Sequence, residues 1–177
     1  KAGPGDEGAG VAEPEREVVV AIGDGTYLML NSEIVTAVAE GIKLTIVVFD
    51  NHGYQCIKDL AWACGVPQFG NELRFREAGT GRLTGGYIPV DFKKHGESMG
   101  ALGIYARTED DIRAAIDQAR AHDGVTLIHV AVSPDKRAPG YDSWWDVPVA
   151  GVSTSDTVNT ARERYEQNVA KQRAELL

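Results

Sequence analysis

Four short runs of this 177-residue chain are almost wholly apolar: EVVVAI at 17–22, LTIVVF at 44–49, GALGIYA at 100–106 and VTLIHVAV at 125–132. The first, second and fourth are rich in β-branched residues, the pattern of buried strands, with both faces of EVVVAI expected to be covered, and GALGIYA reads as a further strand. Between them the period changes to that of helices. A helix is predicted over about 27–40, with an apolar stripe of Ile34, Val35, Val38 and Ala39 and a natural stop at Gly41. DFKKHGESMG (91–100) reads as a second helix. TEDDIRAAIDQARAHDG reads as a third, with Thr108 as N-cap, acids in its first turn and His122 at its end before Gly124. Strand, helix and strand in alternation predict an α/β fold: a three-layer αβα sandwich around a mostly parallel sheet.

Residues 51–90 break the rhythm. They are glycine-rich and polar, with one candidate helix near 55–63 that carries Ile57, Leu60 and Trp62. A long irregular segment in a compact domain tends to be functional or disordered, and the aromatic residues Tyr54, Trp62, Phe69, Phe75 and Tyr87 favour order. After Pro134 comes an irregular stretch with Tyr141, Trp144 and Trp145, then a polar helix from about Asp156. The expected organisation is a lead-in over 1–16, a main domain over 17–150 and a C-terminal helical extension over 151–177. The lead-in, KAGPGDEGAGVAEPER, reads either as a flexible segment or as the tail of a truncated helix.

Charge narrows the function. A net charge of −8 argues against nucleic acid as the main partner. No apolar run approaches membrane-spanning length. Cys56 and Cys64 are the two cysteines, which suits neither a disulfide framework nor a zinc site, so buried free thiols are expected. A reducing cytoplasm is the default compartment.

The candidate chemistry lies where the first two strands stop. GDG (23–25) ends one and DNHG (50–53) ends the next, with one crossover between. Ligands in open α/β sheets bind outside the carboxyl ends of strands, and neighbouring strands lie about 5 Å apart. Asp24 and Asn51 would then reach one ion. A carboxylate oxygen, an amide oxygen and a carbonyl are hard ligands suited to Mg²⁺ or Ca²⁺. Gly23 and Gly25 let backbone approach an anion, and Thr26 adds a hydroxyl, so a phosphate bridged by a divalent ion is a coherent occupant. The plainer reading is two ordinary turns. Tyr54 packs either on a ligand or in the core. Asn31 and Glu33 read as helix-start residues rather than ligands, His52 as a turn or a substrate-facing group. His95, His122 and His129 read as helix or core positions, and Trp144 and Trp145 either pack the C-terminal segment or close over a pocket.

GDG followed by twenty-five residues and then Asn, both beside apolar strands, resembles the diphosphate-binding motif of thiamine diphosphate enzymes. The resemblance implies thiamine diphosphate and Mg²⁺ as cofactors. The metal ligands it implies are Asp24, Asn51 and the carbonyl of Gly53. Gly23, Asp24, Gly25, Thr26, Asn51, Gly53 and Tyr54 would form the cofactor-binding set. GDGTYLMLNSEIVTAV, FDNHGYQCI, TGRLTGGYIPVDFKKHGESMGALG and SWWDVPVA carry the likeness further, to a branch that hydrolytically opens a cyclic 1,2-dione in inositol catabolism. The likeness covers nearly the whole chain but only the family's C-terminal, diphosphate-binding domain. It implies that the activating glutamate comes from a pyrimidine-binding domain, usually of a second subunit in a homodimer or homotetramer. No catalytic residue is expected within this chain, and the chain alone is expected to be inactive. An acetolactate synthase-like carboligase half and a non-catalytic phosphate-binding α/β module are the alternatives.

Overall fold

The computed structural model describes residues 16–136 and 146–172. Two compact units divide the chain: Lys1–Tyr54 with Gly86–Pro134, and Gln55–Gly85 with Asp135–Leu177.

The first unit holds the sheet. Its elements are β1 (Val19–Gly23), α1 (Asp24–Met29), α2 (Glu33–Ala39) and β2 (Leu44–Asp50), then, after the second unit's α3 (Gln55–Ala63), α4 (Phe92–Ser98), β3 (Leu102–Ala106), α5 (Glu109–Ala121) and β4 (Val125–Ala131). All four strands pair in parallel, in the order β1-β2-β4-β3. The four apolar runs thus become the four strands.

Side chains alternate across the sheet. On one face Val20, Leu44, Ile46, Val48, Val125 and Leu127 pack with Tyr27, Ile34, Ala37 and Phe92 from α1, α2 and α4. On the other, Val47, Ile128 and Val130 pack with Ala115 and Ala119 of α5. That gives the three-layer α/β arrangement. The α5 start is the capping box its sequence suggests: Thr108 accepts from the Asp111 N–H at 3.1 Å while Asp111 accepts from the Thr108 N–H at 2.9 Å.

The single helix expected over 27–40 is two. It begins earlier, at Asp24 itself, and breaks at Leu30, whose backbone is extended. Asn31 and Ser32 favour turns over helix interiors, and α2 restarts with Ser32 rather than Asn31 at the N-cap position and Glu33 in its first turn. Of the expected stripe Ile34 is buried, but Val35 and Val38 are exposed and Ala37 takes the inward position. Gly41, at φ 64°, closes α2 with Ile42 N–H donating to the Ala37 carbonyl and Gly41 N–H to that of Val38.

In the second unit, the C-terminal end of α3 meets α6 (Asp156–Val169) where Arg164 donates to the Ala63 carbonyl at 3.0 Å. Val149, Val158 and Ala161 form a small core with Cys64 and Tyr165. Ile57, Leu60 and Trp62 of α3 are exposed, whereas Gln55 and Lys58 are buried. The burial follows their partners: the Glu72 carboxylate accepts from Lys58 at 3.0 Å and from Arg74 at 2.9 Å, which ties the irregular segment to the helix. Cys56 is exposed and Cys64 half-buried, so the expectation of buried thiols fails for Cys56, which falls on the outer face of α3. Among the described residues no helix is long and apolar enough to cross a membrane. Tyr141, Trp144, Trp145 and the lead-in up to Glu15 lie outside the described residues.

Candidate active site at the ends of two parallel strands

The register of the sheet builds the site. Gly23 of β1 pairs with Phe49 of β2, so the residues that follow, Asp24 at the start of α1 and Asp50 at the end of β2, stand at the same level. Asp24 is wholly buried. Its Oδ1 accepts the Gly25 N–H at 2.8 Å and its Oδ2 the Gly53 N–H at 2.7 Å. One carboxylate therefore joins the two strand ends. Asn51 lies within the turn it grips, between Asp50 and Gly53.

The turn has an unusual backbone. His52 adopts φ 63°, a left-handed conformation uncommon for a residue with a Cβ, and Gly53 follows at φ 141°. The His52 ring stacks on Tyr87, with centroids 4.3 Å apart and planes 18° from parallel. Tyr54 comes next and covers Gly25: a Cβ on Gly25 would sit 2.7 Å from two atoms of that ring. Gly25 is thus a glycine because of a close approach by Tyr54, while Gly23 has open space where its Cβ would be.

Two residues outside the sequence-derived set complete the cluster. Asp50 is buried, accepting the His52 N–H on Oδ1 at 3.1 Å and lying 2.9 Å from His129 Nε2 through Oδ2. His129 is a buried residue of β4. The signal was present in both strands. LTIVVFD puts Asp50 on the face of Leu44, Ile46 and Val48, and VTLIHVAV puts a lone imidazole inside an apolar run. His95 lies in α4, where its Nδ1 is 2.7 Å from the Tyr27 hydroxyl, and His122 caps α5. Both fit the packing roles read for them.

The carboxylates titrate in opposite directions. Burial pushes Asp24 up to about 6, with the nearby Asp50 carboxylate adding to the rise against the two backbone N–H donors. Burial pushes Asp50 up as well, but the His129 hydrogen bond, the His52 N–H and the two imidazoles outweigh it and leave Asp50 below the ordinary carboxylate value.

A buried carboxylate that is costly to ionise fits a cation beside it. Among the described residues no group of three or more His, Cys, Asp or Glu side chains is arranged to hold a metal ion. A cation here would draw on one carboxylate, an amide and backbone oxygen, a set suited to a hard ion that keeps water or phosphate oxygens as further ligands. Toward an anion the offer is narrower, because the Gly25 N–H is already given to Asp24. Thr26, exposed at the start of α1, is the remaining motif donor on that side.

Comparison with known proteins fits this geometry. The family described as "Thiamine pyrophosphate enzyme, C-terminal TPP binding domain" matches residues 2–130. The 3D-(3,5/4)-trihydroxycyclohexane-1,2-dione hydrolase of Clostridium perfringens is 43% identical over 92% of this chain and 25% of its own length. The enzyme of that name from Geobacillus thermodenitrificans is 38% identical over 92% of the chain and 25% of its length. The chain thus spans about a quarter of these curated relatives. In structure, benzoylformate decarboxylase from Polynucleobacter necessarius superposes with a TM-score of 0.62 at 23% identity, over 75% of this chain and 22% of that one. The thiamine diphosphate-dependent 4-hydroxybenzoylformate decarboxylase of Rhodococcus jostii gives 0.59 at 26% identity, over 72% and 22%. With that match over residues 2–130, this chain belongs to the thiamine pyrophosphate enzymes, through their C-terminal TPP-binding domain.

Proposed function

We propose that this chain is the diphosphate- and Mg²⁺-binding part of a thiamine diphosphate-dependent hydrolase that opens 3D-(3,5/4)-trihydroxycyclohexane-1,2-dione to 5-deoxy-glucuronate. The observation that carries the reading is the Asp24 carboxylate, buried and shared between Gly25 and Gly53 at the ends of adjacent parallel strands. Asp24, Asn51 and the Gly53 carbonyl hold Mg²⁺, and the ion holds the diphosphate. Gly23 and Thr26 flank the diphosphate, and Tyr54 walls the site over Gly25. The relatives' name supports the substrate, since four stretches of this chain carry that likeness.

When bound, thiamine diphosphate supplies the carbon nucleophile and electron sink for carbon–carbon cleavage. Water adds across the bond between the two carbonyl carbons, giving one carboxylate and one aldehyde in the open chain. This chain's residues anchor and orient the cofactor's tail. The activating glutamate is assigned to a pyrimidine-binding domain of the same enzyme, contributed by a second subunit of a cytoplasmic homodimer or homotetramer.

The test is calorimetry of thiamine diphosphate with and without Mg²⁺. Wild type should bind in a Mg²⁺-dependent way and Asp24→Ala should not. Unchanged affinity in Asp24→Ala would refute the assignment of the site.

A further inference from the structure

We propose that Asp50, braced by His129, is the positioning residue of the cation loop: it holds the His52 turn in the one backbone conformation that delivers Gly53 to Asp24. The inference rests on the reading of Asp24, Asn51 and Gly53 as cation ligands.

The left-handed conformation at His52 is the starting point. It costs on the order of 1–2 kcal/mol for a residue with a Cβ, and such backbone persists only where its surroundings over-determine it. Here the surroundings are the Tyr87 ring, stacked on the His52 side chain at 4.3 Å, and one carboxylate that grips the backbone. Asp50 Oδ1 accepts the His52 N–H at 3.1 Å and lies 3.3 Å from the His52 Nδ1. The next N–H along the chain, that of Gly53, then reaches Asp24 Oδ2 at 2.7 Å.

Asp50 is itself fixed from behind. Its Oδ2 meets His129 Nε2 at 2.9 Å, and the His129 ring is wedged edge-on between Phe92 and Tyr105, at 5.2 Å and 4.8 Å. With Nε2 facing a carboxylate, that nitrogen carries the proton. The other ring nitrogen, Nδ1, is buried and has no hydrogen-bond partner among the described residues. A bare lone pair there is less costly than a buried unpaired N–H, so the site selects the Nε2–H tautomer. The line of force runs from β4 through His129 and Asp50 to the His52 turn, and from Gly53 to Asp24 at the end of β1. A strand that contributes no cation ligand thereby sets the loop that does. Outer-shell groups of this kind orient ligating atoms, and their loss typically weakens metal binding about 10–100-fold.

Mn²⁺ binding followed by electron paramagnetic resonance in the presence of thiamine diphosphate tests this on wild type, Asp50→Ala, Asp50→Asn and Asp24→Ala. Asp50→Ala should weaken Mn²⁺ affinity about tenfold or more. Asp50→Asn keeps an oxygen for the His52 N–H and should recover most of that loss. Because its amide would turn a donor toward His129, it should also shift the ¹⁵N resonances of His129 toward the Nδ1–H tautomer. Cation-free amide hydrogen exchange supplies the second readout: His52 and Gly53 should exchange faster in Asp50→Ala, with the β2 and β4 amides unchanged. Wild-type affinity and unchanged exchange in Asp50→Ala would overturn the proposal, as would an Asp50→Asn variant as impaired as Asp50→Ala, which would make charge rather than positioning the cause. If instead Asp24→Ala binds Mn²⁺ like wild type, the cation reading fails, while the exchange result still decides the positioning role.

Discussion

Asp24 and Asp50 stand at the same level at the ends of neighbouring parallel strands, both buried, with opposite electrostatic fates. Asp24 accepts two backbone N–H groups and has a second carboxylate beside it, and burial, the largest influence, raises its pKa to about 6. Asp50 receives the same kind of N–H from His52 and in addition an imidazole, and its pKa falls. The sign of each shift is set by partners, not by depth. One strand end keeps a carboxylate that is costly to ionise, and the other is locked. That division suits a site in which one carboxylate meets an ion and the other holds the frame.

The largest effect that separates them is the pH dependence of folding. The folded-state pKa of Asp24, about 6, lies above its ordinary 3.8, so its contribution to stability is fully present below that ordinary value and is lost as pH rises through 6. The loss at neutral pH is on the order of 3 kcal/mol in the cation-free protein. Asp50 works the other way: its contribution is present at neutral pH and is lost as pH falls through and below the ordinary carboxylate range. Urea denaturation without divalent ions should therefore show wild type losing stability between about pH 4 and pH 7 relative to Asp24→Asn, which has nothing to titrate at that position. Parallel profiles for the two proteins would show that Asp24 is not the strained carboxylate.

Next in size is a contrast between the two glycines that flank Asp24. In Gly25→Ala the new Cβ meets the Tyr54 ring at 2.7 Å, and overpacking of this kind costs about 1–3 kcal/mol. In Gly23→Ala the Cβ meets nothing within 4 Å and the backbone is extended at φ −78°, so the change should stay within about 0.5 kcal/mol. Replacing Tyr54 by Leu should make Gly25→Ala less damaging, and a double-mutant cycle measures the coupling. Additive effects would mean that Tyr54 does not cover Gly25.

Much of this was legible in the chain. Four apolar runs mapped to four strands, but burial on both faces held only for the central β2 and β4; β1 and β3 lie at the sheet edges, where Val19 and Tyr105 are exposed. The strand–helix–strand spacing put Asp24 and the Asn51 turn side by side because a crossover of that length joins neighbouring parallel strands. The fine structure was not legible. Nothing local in YLMLNSEIV marks the break at Leu30 strongly enough to override a helical period. The burial of Lys58 depends on Glu72, which is remote in sequence and irregular in structure. Asp50 looked like turn chemistry because a strand ending in Asp-Asn-His-Gly is also what an ordinary turn looks like. Its meaning comes from His129, seventy-nine residues away, and only the register of β2 against β4 brings the two together.

The smallest predicted effect sharpens the comparison from the β2 side. His52→Gly releases the left-handed strain at φ 63°, a gain of about 1 kcal/mol or slightly more. It also removes a ring stacked at 4.3 Å on Tyr87, a contact worth about 0.5–1.5 kcal/mol, and loosens the unfolded chain by about 0.5–1 kcal/mol. These terms nearly cancel, so denaturation should show a net loss below about 1 kcal/mol. The His52 N–H that Asp50 grips is backbone and survives the substitution, so cation affinity should change far less than in Asp50→Ala. A loss of more than about 2 kcal/mol, or a cation defect equal to that of Asp50→Ala, would shift the clamp from the Asp50 carboxylate to the His52 ring. The β1 end would then be built on a glycine that cannot gain a side chain, and the β2 end on a histidine that cannot lose one.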